Sequence, residues 1–317
     1  MIVTVTPNPA IDVTYRVDRL APGSMSRVDT VTERPGGKGV NVARVLAQLG
    51  ESVLVTGLSG GPSGAALAAD LNRRGIPVDL VDALPDVRRT VVVQESDGTI
   101  TSLWEPGRAP AQPDEAARAL LERVARLLDR ARAVVVSGSL PIGVDPRLPG
   151  QIAAAAAAAD VPALVDVSGI ALHEAARIGR AVLTPNADEL DELLGWHTAD
   201  LAGAALAVRQ LVEPDGLAPA VVLTRGPDGL AAVLPGATLI ARPPHVVDGN
   251  PTGAGDAVNA ALARYVARVG SWDRVAWHEA LADAAALAAA AVCRPVAGEI
   301  DDDAYRQWRG EVTVEEL

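Results

Sequence analysis

Cysteine, lysine and phenylalanine are nearly missing from this chain. Of 317 residues one is cysteine, none is phenylalanine, and Lys38 is the only lysine among 28 basic residues. The lone Cys293 excludes an intrachain disulfide and a cysteine-based metal cluster. Its setting in Ala289-Ala290-Ala291-Val292-Cys293 reads as helix core. Also missing is any apolar run long and uninterrupted enough to span a bilayer, and Met1 to Thr6 has neither the charged start nor the apolar core of a signal peptide. A soluble, cytoplasmic protein is expected. Positive charge is scarce too. A net charge of −12 repels nucleic acid and anionic lipid, so neither is expected as a partner, and an anionic substrate needs a local basic pocket. What the chain does have is 49% hydrophobic residues, ample for a buried core.

Short β-branched runs alternate with helical patterns along most of the length. Ile2 to Thr6 is a buried first strand closed by Pro7-Asn8-Pro9, with Asp12 just beyond its end. Strands follow at 52–57, 133–137, 163–167, 181–184 and 220–224, and a hairpin at 230–241. Helices are expected over 40–49, 63–74, 114–130 and 146–159, and from 171, 186 and 199. Such alternation indicates a mostly parallel sheet covered on both faces, with active residues in loops past the strands' C-terminal ends. The alanine run 153–159 reads as helix surface. Residues 14–17 and 28–33 alternate apolar and polar side chains, and 88–95 and 99–104, joined by an Asp97-Gly98 turn signal, read as a hairpin. These segments predict a second, small sheet of four or five strands laid over the core.

Three stretches carry chemistry. In Asp248-Gly249-Asn250-Pro251-Thr252-Gly253-Ala254-Gly255-Asp256, small residues 253–255 open a helix running to about Gly270, and their uncovered N–H groups with the helix dipole form an anion hole. Asp256, in the first turn, either caps that helix or takes a proton from a hydroxyl. Arg34-Pro35-Gly36-Gly37-Lys38-Gly39-Val40-Asn41 places glycines and the one lysine ahead of a helix. The lysine is either a chance survivor of a genomic bias toward arginine and alanine, or a compact ammonium kept for a ligand. Asn186-Ala187-Asp188-Glu189 is either an ordinary helix cap or a place where Glu189 orients water on Mg²⁺. Thr224 to Gly229 is a glycine-bearing turn that says little alone.

Taken in order, Thr6-Pro7-Asn8-Pro9-Ala10-Ile11-Asp12, Gly36 to Arg44, Gly138-Ser139-Leu140-Pro141, Asp166-Val167-Ser168-Gly169, Pro185 to Leu190 and Gly253 to Asp256 resemble the PfkB-type (ribokinase-like) carbohydrate kinases. The resemblance is to the branch holding 1-phosphofructokinase, tagatose-6-phosphate kinase and the minor 6-phosphofructokinase, and it covers nearly the whole chain. It implies a single ribokinase-like α/β domain over 1–317, a doubly wound mostly parallel sheet flanked by helices, with a discontinuous β lid from about 12–34 and 87–106. It implies ATP and Mg²⁺ as cofactors, with a monovalent cation a further candidate. Asp256 would be the base, and the amides of Gly253, Ala254 and Gly255 would hold the developing charge. Asp12, Gly37, Lys38, Asn41 and Ser139 would bind the sugar phosphate, helped by Arg27 and Arg89 from lid strands, with Arg88 a substitute for Arg89. Asn186, Thr224, Gly226, Gly229, Gly253 and Gly255 would line the nucleotide site, and Glu189 would meet the metal through water. Lys38 and Arg89 are expected to share the phosphate already on the substrate. A homodimer through the lid is a candidate assembly.

The match has gaps. The 1-phosphofructokinase pattern has an asparagine and a lysine where Val91 and Val93 stand, and an asparagine where Trp104 stands. The expected substrate is thus a ketohexose phosphate, fructose 1-phosphate first, with tagatose 6-phosphate, fructose 6-phosphate and then an unphosphorylated sugar or nucleoside behind it. A non-catalytic sugar-phosphate sensor would gain nothing from keeping both the Gly-Ala-Gly-Asp and Asn-x-x-Glu motifs. A dinucleotide-dependent oxidoreductase would need a glycine fingerprint after the first strand, which Thr6-Pro7-Asn8-Pro9 is not.

Overall fold

A computed structural model describes residues 1–212 and 218–317. In chain order its elements are β1 (Ile2–Thr6), β2 (Ala10–Val17), β3 (Thr30–Gly36), α1 (Lys38–Gln48), β4 (Val53–Ser59), α2 (Gly61–Arg73), β5 (Val81–Asp82), β6 (Arg88–Glu95), β7 (Ile100–Trp104) and α3 (Pro113–Leu128). Then come β8 (Ala133–Ser137), α4 (Leu148–Ala158), β9 (Ala163–Asp166), α5 (Ile170–Ile178), β10 (Val182–Leu183), α6 (Ala187–Leu194) and α7 (Leu201–Ala207). The C-terminal third holds β11 (Val221–Thr224), β12 (Leu230–Leu234), β13 (Ala237–Arg242), α8 (Ala254–Val269), α9 (Trp277–Val292), α10 (Asp302–Trp308) and β14 (Thr313–Glu316).

The described residues form a ten-stranded sheet in the order β14-β13-β12-β11-β10-β9-β8-β1-β4-β5. Pairing is parallel from β5 to β11 and antiparallel beyond. Strand alternation divides the core in two. On β8, Ala133 and Val135 face α1, α8 and α9, while Val134 and Val136 face α3, α4 and α5, and both faces are dry, as a sheet covered on each side requires. From β1 the chain winds one way through β4 and β5, then returns to β8 and winds the other way. Such a reversal opens a crevice beyond the strands' C-terminal ends. There the strands give way to buried polar residues: Thr6, Ser137, Asp166 and Thr184 are all at most 5% exposed.

The small sheet has four strands, in the order β3-β2-β6-β7. Its centre is a parallel pairing of β2 with β6 that spans Ala10↔Arg88 to Val17↔Glu95, a long-range match that neither segment's pattern announces. Asp12 therefore lies inside β2, opposite Thr90 and Arg34, and not in a turn after β1. Three other expectations change. The alanine run is not simply helix surface, because Ala153 and Ala156 are fully buried on α4. Cys293 is exposed just past the end of α9, and is not helix core. Arg27 sits exposed in the β2–β3 connection and not in a strand.

Candidate active site

Gly253 is the N-cap of α8, in a left-handed conformation (φ 93°), and a side chain there would meet the Ala297 backbone at 2.9 Å. Only glycine fits such a turn without strain. The Ala254 N–H donates to Pro251 O and so leaves the expected anion hole. Gly255 and Asp256, in the first helical turn, keep N–H groups that have no acceptor within the helix. No side chain caps α8. The carboxylate of Asp256 points elsewhere and accepts from Asn41 Nδ2 at 2.9 Å, so the capping reading fails on geometry. Burial pushes its pKa up to about 7, with Asp166 adding to the rise and Lys38 opposing it, which places a proton acceptor near neutral pH.

Lys38 opens α1, held there by Gly37 at φ 97°. Its Nζ lies 2.9 Å from Asp166 Oδ1 and 3.0 Å from Glu189 Oε1. Burial alone would lower its pKa, but Asp166 and Glu189 outweigh that and raise it, so the ammonium stays charged. Both Asp166 oxygens are engaged: besides Lys38 on Oδ1, Ser137 Oγ (2.8 Å) and Asn259 Nδ2 (2.9 Å) donate to Oδ2, and Asn259 in turn accepts from Thr184 Oγ1 at 2.8 Å. Asn186 and Glu189 form a complete capping box on α6. The capping reading of this motif is therefore realised, and the same Glu189 carboxylate also meets Lys38.

Above this floor, the face of the small sheet that carries Asp12 also carries Arg34, Arg88 and Thr90. Thr90 donates to Asp12, and burial raises the Asp12 pKa while Thr90, Arg34 and Arg88 offset part of the rise. Gly36 leaves the room its absent side chain would take from the Asp12 carboxyl. Arg88 donates from Nη1 to Glu105 O and from Nε to Asn8 O. Arg89 alternates to the opposite face and is exposed, so Arg88 and not Arg89 is the lid arginine that faces the site. The register also moves the comparison with the 1-phosphofructokinase pattern: Thr90 and Val92 share the face of Asp12, whereas Val91 and Val93 do not. Lys38 and Arg89 are not brought together.

On the side expected for nucleotide, Asn186 and Thr224 are bridged partners. Gly226 (φ 49°) has open space around it, while Gly229 (φ 102°) lies so close to the Ala241 carbonyl that its glycine is needed for packing alone. Ser139 is half-buried beside a cavity of about 330 Å³ lined by Gly138, Leu140, Val167, Ser168 and Ile170. Sequence reading assigned no role to Arg34, Ser137, Thr184, Asn259 or Asn8. Polar residues closing β-branched runs were the available signal for Ser137 and Thr184. Nothing local marked Arg34, whose place depends on strand register.

The pfkB family carbohydrate kinase model matches residues 5–303. The chain belongs to this family. It is 35% identical over 266 residues to a 1-phosphofructokinase of Xanthomonas campestris pv. campestris, covering 82% of each protein. Crystal structures of phosphofructokinase-2 from Escherichia coli with potassium (TM-score 0.88, 29% identity, 98% of each chain) and of a possible 1-phosphofructokinase from Thermotoga maritima (TM-score 0.88, 23% identity, 100% and 99%) share its fold. It is a carbohydrate kinase, an enzyme that moves phosphate to a sugar hydroxyl using ATP and a divalent metal. Among the described residues no helix is long and apolar enough to cross a membrane.

Proposed function

We propose that the enzyme transfers the γ-phosphate of ATP to a hydroxyl of fructose 1-phosphate. The observation that carries the reading is a buried carboxylate, Asp256, in the first turn of α8, near enough to Asp12 for that charge to help raise its pKa, with Asp12 sharing a sheet face with Arg34 and Arg88. Asp256 takes the proton from the attacking hydroxyl, and the Gly255 and Asp256 amides receive charge on the transferred group. Asp12 and Asn41, whose Oδ1 is buried without a partner, orient the sugar. Arg88 and Ser139 hold the substrate's own phosphate. Lys38 serves the transferred phosphoryl group, because its neighbours are Asp166 and Glu189.

A divalent ion fits the donor set, though not as a protein-only cage. No group of three or more His, Cys, Asp or Glu among the described residues could hold one, but Glu189 and Asp166 are hard oxygen donors. Mg²⁺ suits one or two carboxylates completed by water and substrate phosphates. When bound it would neutralise charge on the nucleotide phosphates. The small sheet acts as a lid carried discontinuously by one domain spanning 1–317. Its face away from Asp12 exposes Val31 and Leu103, which supports dimerisation through the lid.

A coupled ADP-release assay across fructose 1-phosphate, fructose 6-phosphate, tagatose 6-phosphate, ribose and adenosine, with and without Mg²⁺ and potassium, tests the reading. The highest kcat/KM should fall on fructose 1-phosphate. A preference for ribose or adenosine would overturn the phosphorylated substrate. Fructose 6-phosphate is the second reading, since phosphofructokinase-2 from Escherichia coli, 29% identical and TM-score 0.86, has been crystallised with it.

A further inference from the structure

Asn8 is 1% exposed, in the loop that follows β1, and so far has no task. Its Nδ2 donates to Pro106 O at 3.1 Å and to Ser139 Oγ at 3.1 Å, with Leu140 O at 3.5 Å. Two of these three neighbours are backbone carbonyls, which can only accept, so the amide has one sensible orientation. Flipping it would set oxygen against oxygen. Its Oδ1 is buried without a partner and faces Gly107, where a side chain would come within 2.6 Å.

The consequence falls on Ser139. A serine hydroxyl has one proton and two lone pairs. Here one lone pair is taken by Asn8, and among the described residues the Ser139 hydroxyl donates to no acceptor. The hydroxyl proton is therefore free to be donated toward the cavity that Ser139 lines. We infer that Asn8 is a positioning residue: it fixes Ser139 Oγ as an acceptor on one side so that its proton is presented to an oxyanion on the other. The contact joins the loops after β1 and β8, the two strands between which the sheet reverses direction. Asn8 also accepts from Arg88 Nε through its backbone oxygen at 3.4 Å, which ties the serine donor and the lid arginine to one buried residue. A phosphate dianion has acceptors only, and such a pair of donors suits it.

This inference rests on Ser139 holding the substrate phosphate, and a double-mutant cycle separates the two claims. KM for fructose 1-phosphate and for ATP, kcat and melting temperature are measured for Ser139→Ala, Asn8→Ala and the double variant. Ser139→Ala should raise the sugar-phosphate KM roughly tenfold or more, Asn8→Ala by roughly three- to tenfold, with little change in KM for ATP. The double variant should match Ser139→Ala alone, because Asn8 acts through that hydroxyl. If the two effects multiply in full, or if Asn8→Ala moves sugar and ATP constants equally, Asn8 only holds loops together and the inference falls. If Ser139→Ala leaves the sugar-phosphate KM unchanged, the assignment of Ser139 itself is wrong. Should Asn8→Ala not fold, Asn8→Ser keeps one donor and Asn8→Asp keeps the volume. Asn8→Asp should then raise that KM more than Asn8→Ser, since its carboxylate would take the Ser139 proton.

Discussion

Asp166, at the end of β9, has both oxygens bonded to partners on three different elements, Lys38 on α1, Ser137 on β8 and Asn259 on α8, whereas Arg88 and Arg89 stand side by side on β6 and face opposite ways. The floor of the site is a network with one solution. Changing any member leaves a buried charge or an unpaired donor, which is costly in a low-dielectric interior. The lid is a register. Sliding β6 by one residue against β2 would exchange Arg88 for Arg89 over Asp12 and turn every other β6 side chain, buried Val93 included, to the opposite face. On the proposed reading, transfer chemistry sits where geometry is over-determined, and substrate choice sits on a strand face where one residue's phase decides.

The largest effect should come from the floor. Asp256→Asn should lower kcat by about 10²- to 10⁴-fold, with sugar and ATP KM values moved far less. The same variant should melt at a higher temperature at pH 8. A carboxyl whose folded pKa, about 7, lies above its unfolded value favours the folded state when protonated and disfavours it when ionised. The gain should shrink as pH falls toward 5. Unchanged turnover would show that the floor does not carry the chemistry.

Next is the joint between floor and lid. Glu299 receives Arg34 Nη2 at 2.7 Å from β3 and Arg44 Nη2 at 3.1 Å from α1, with Arg294 at 3.5 Å. The Arg34 and Arg44 side chains are 9% and 5% exposed. Glu299→Gln should cost stability toward the lower end of about 3–5 kcal/mol, because Glu299 itself is 32% exposed. Chemical denaturation measures it. A loss under about 1 kcal/mol would mean that solvent screens the cluster.

Arg88→Ala and Arg89→Ala sharpen the contrast within the lid. The first should raise the sugar-phosphate KM by about 10- to 150-fold, the cost of a charge-assisted hydrogen bond of about 1.5–3 kcal/mol. The second should leave the monomer's constants nearly unchanged. Reversed results would show that β6 is displaced by one residue. Smallest is a shift in pH dependence. Activity should rise with pH through about 7 as Asp256 ionises. Lys38→Ala should move that limb to higher pH, because it removes the positive charge that lowers the Asp256 pKa, and should raise KM for ATP more than for the sugar.

Much of this was visible in order along the chain. β8 was legible to the residue because Val134-Val135-Val136 is β-branched and closed by a polar residue, and Gly253 to Asp256 announced a helix start. The lid's strands were legible as two alternating segments and a hairpin. Their parallel pairing was not, since β2 and β6 lie more than 70 residues apart and neither pattern encodes the other's phase. The same gap misassigned Arg89 and paired it with Lys38. Of the C-terminal elements, α9 was glimpsed only in the helix reading at Ala289 to Cys293, because its alanine-rich sequence carries little periodic contrast, and α10 and β14, of seven and four residues, are too short to show a period.

By itself the sequence determined the alternating α/β class, the family and the candidate base, because these depend on contiguous residues whose φ/ψ demands and hydrophobic periods are local. Only the tertiary structure decided which oxygen meets which nitrogen. Asp256 could be taken for a helix cap until its carboxylate was seen to accept from Asn41, 215 residues away. That Lys38 is flanked by Asp166 and Glu189, 128 and 151 residues away, was likewise invisible along the chain. Charges act through distance, and distances between segments far apart in sequence are set by packing that no short stretch specifies.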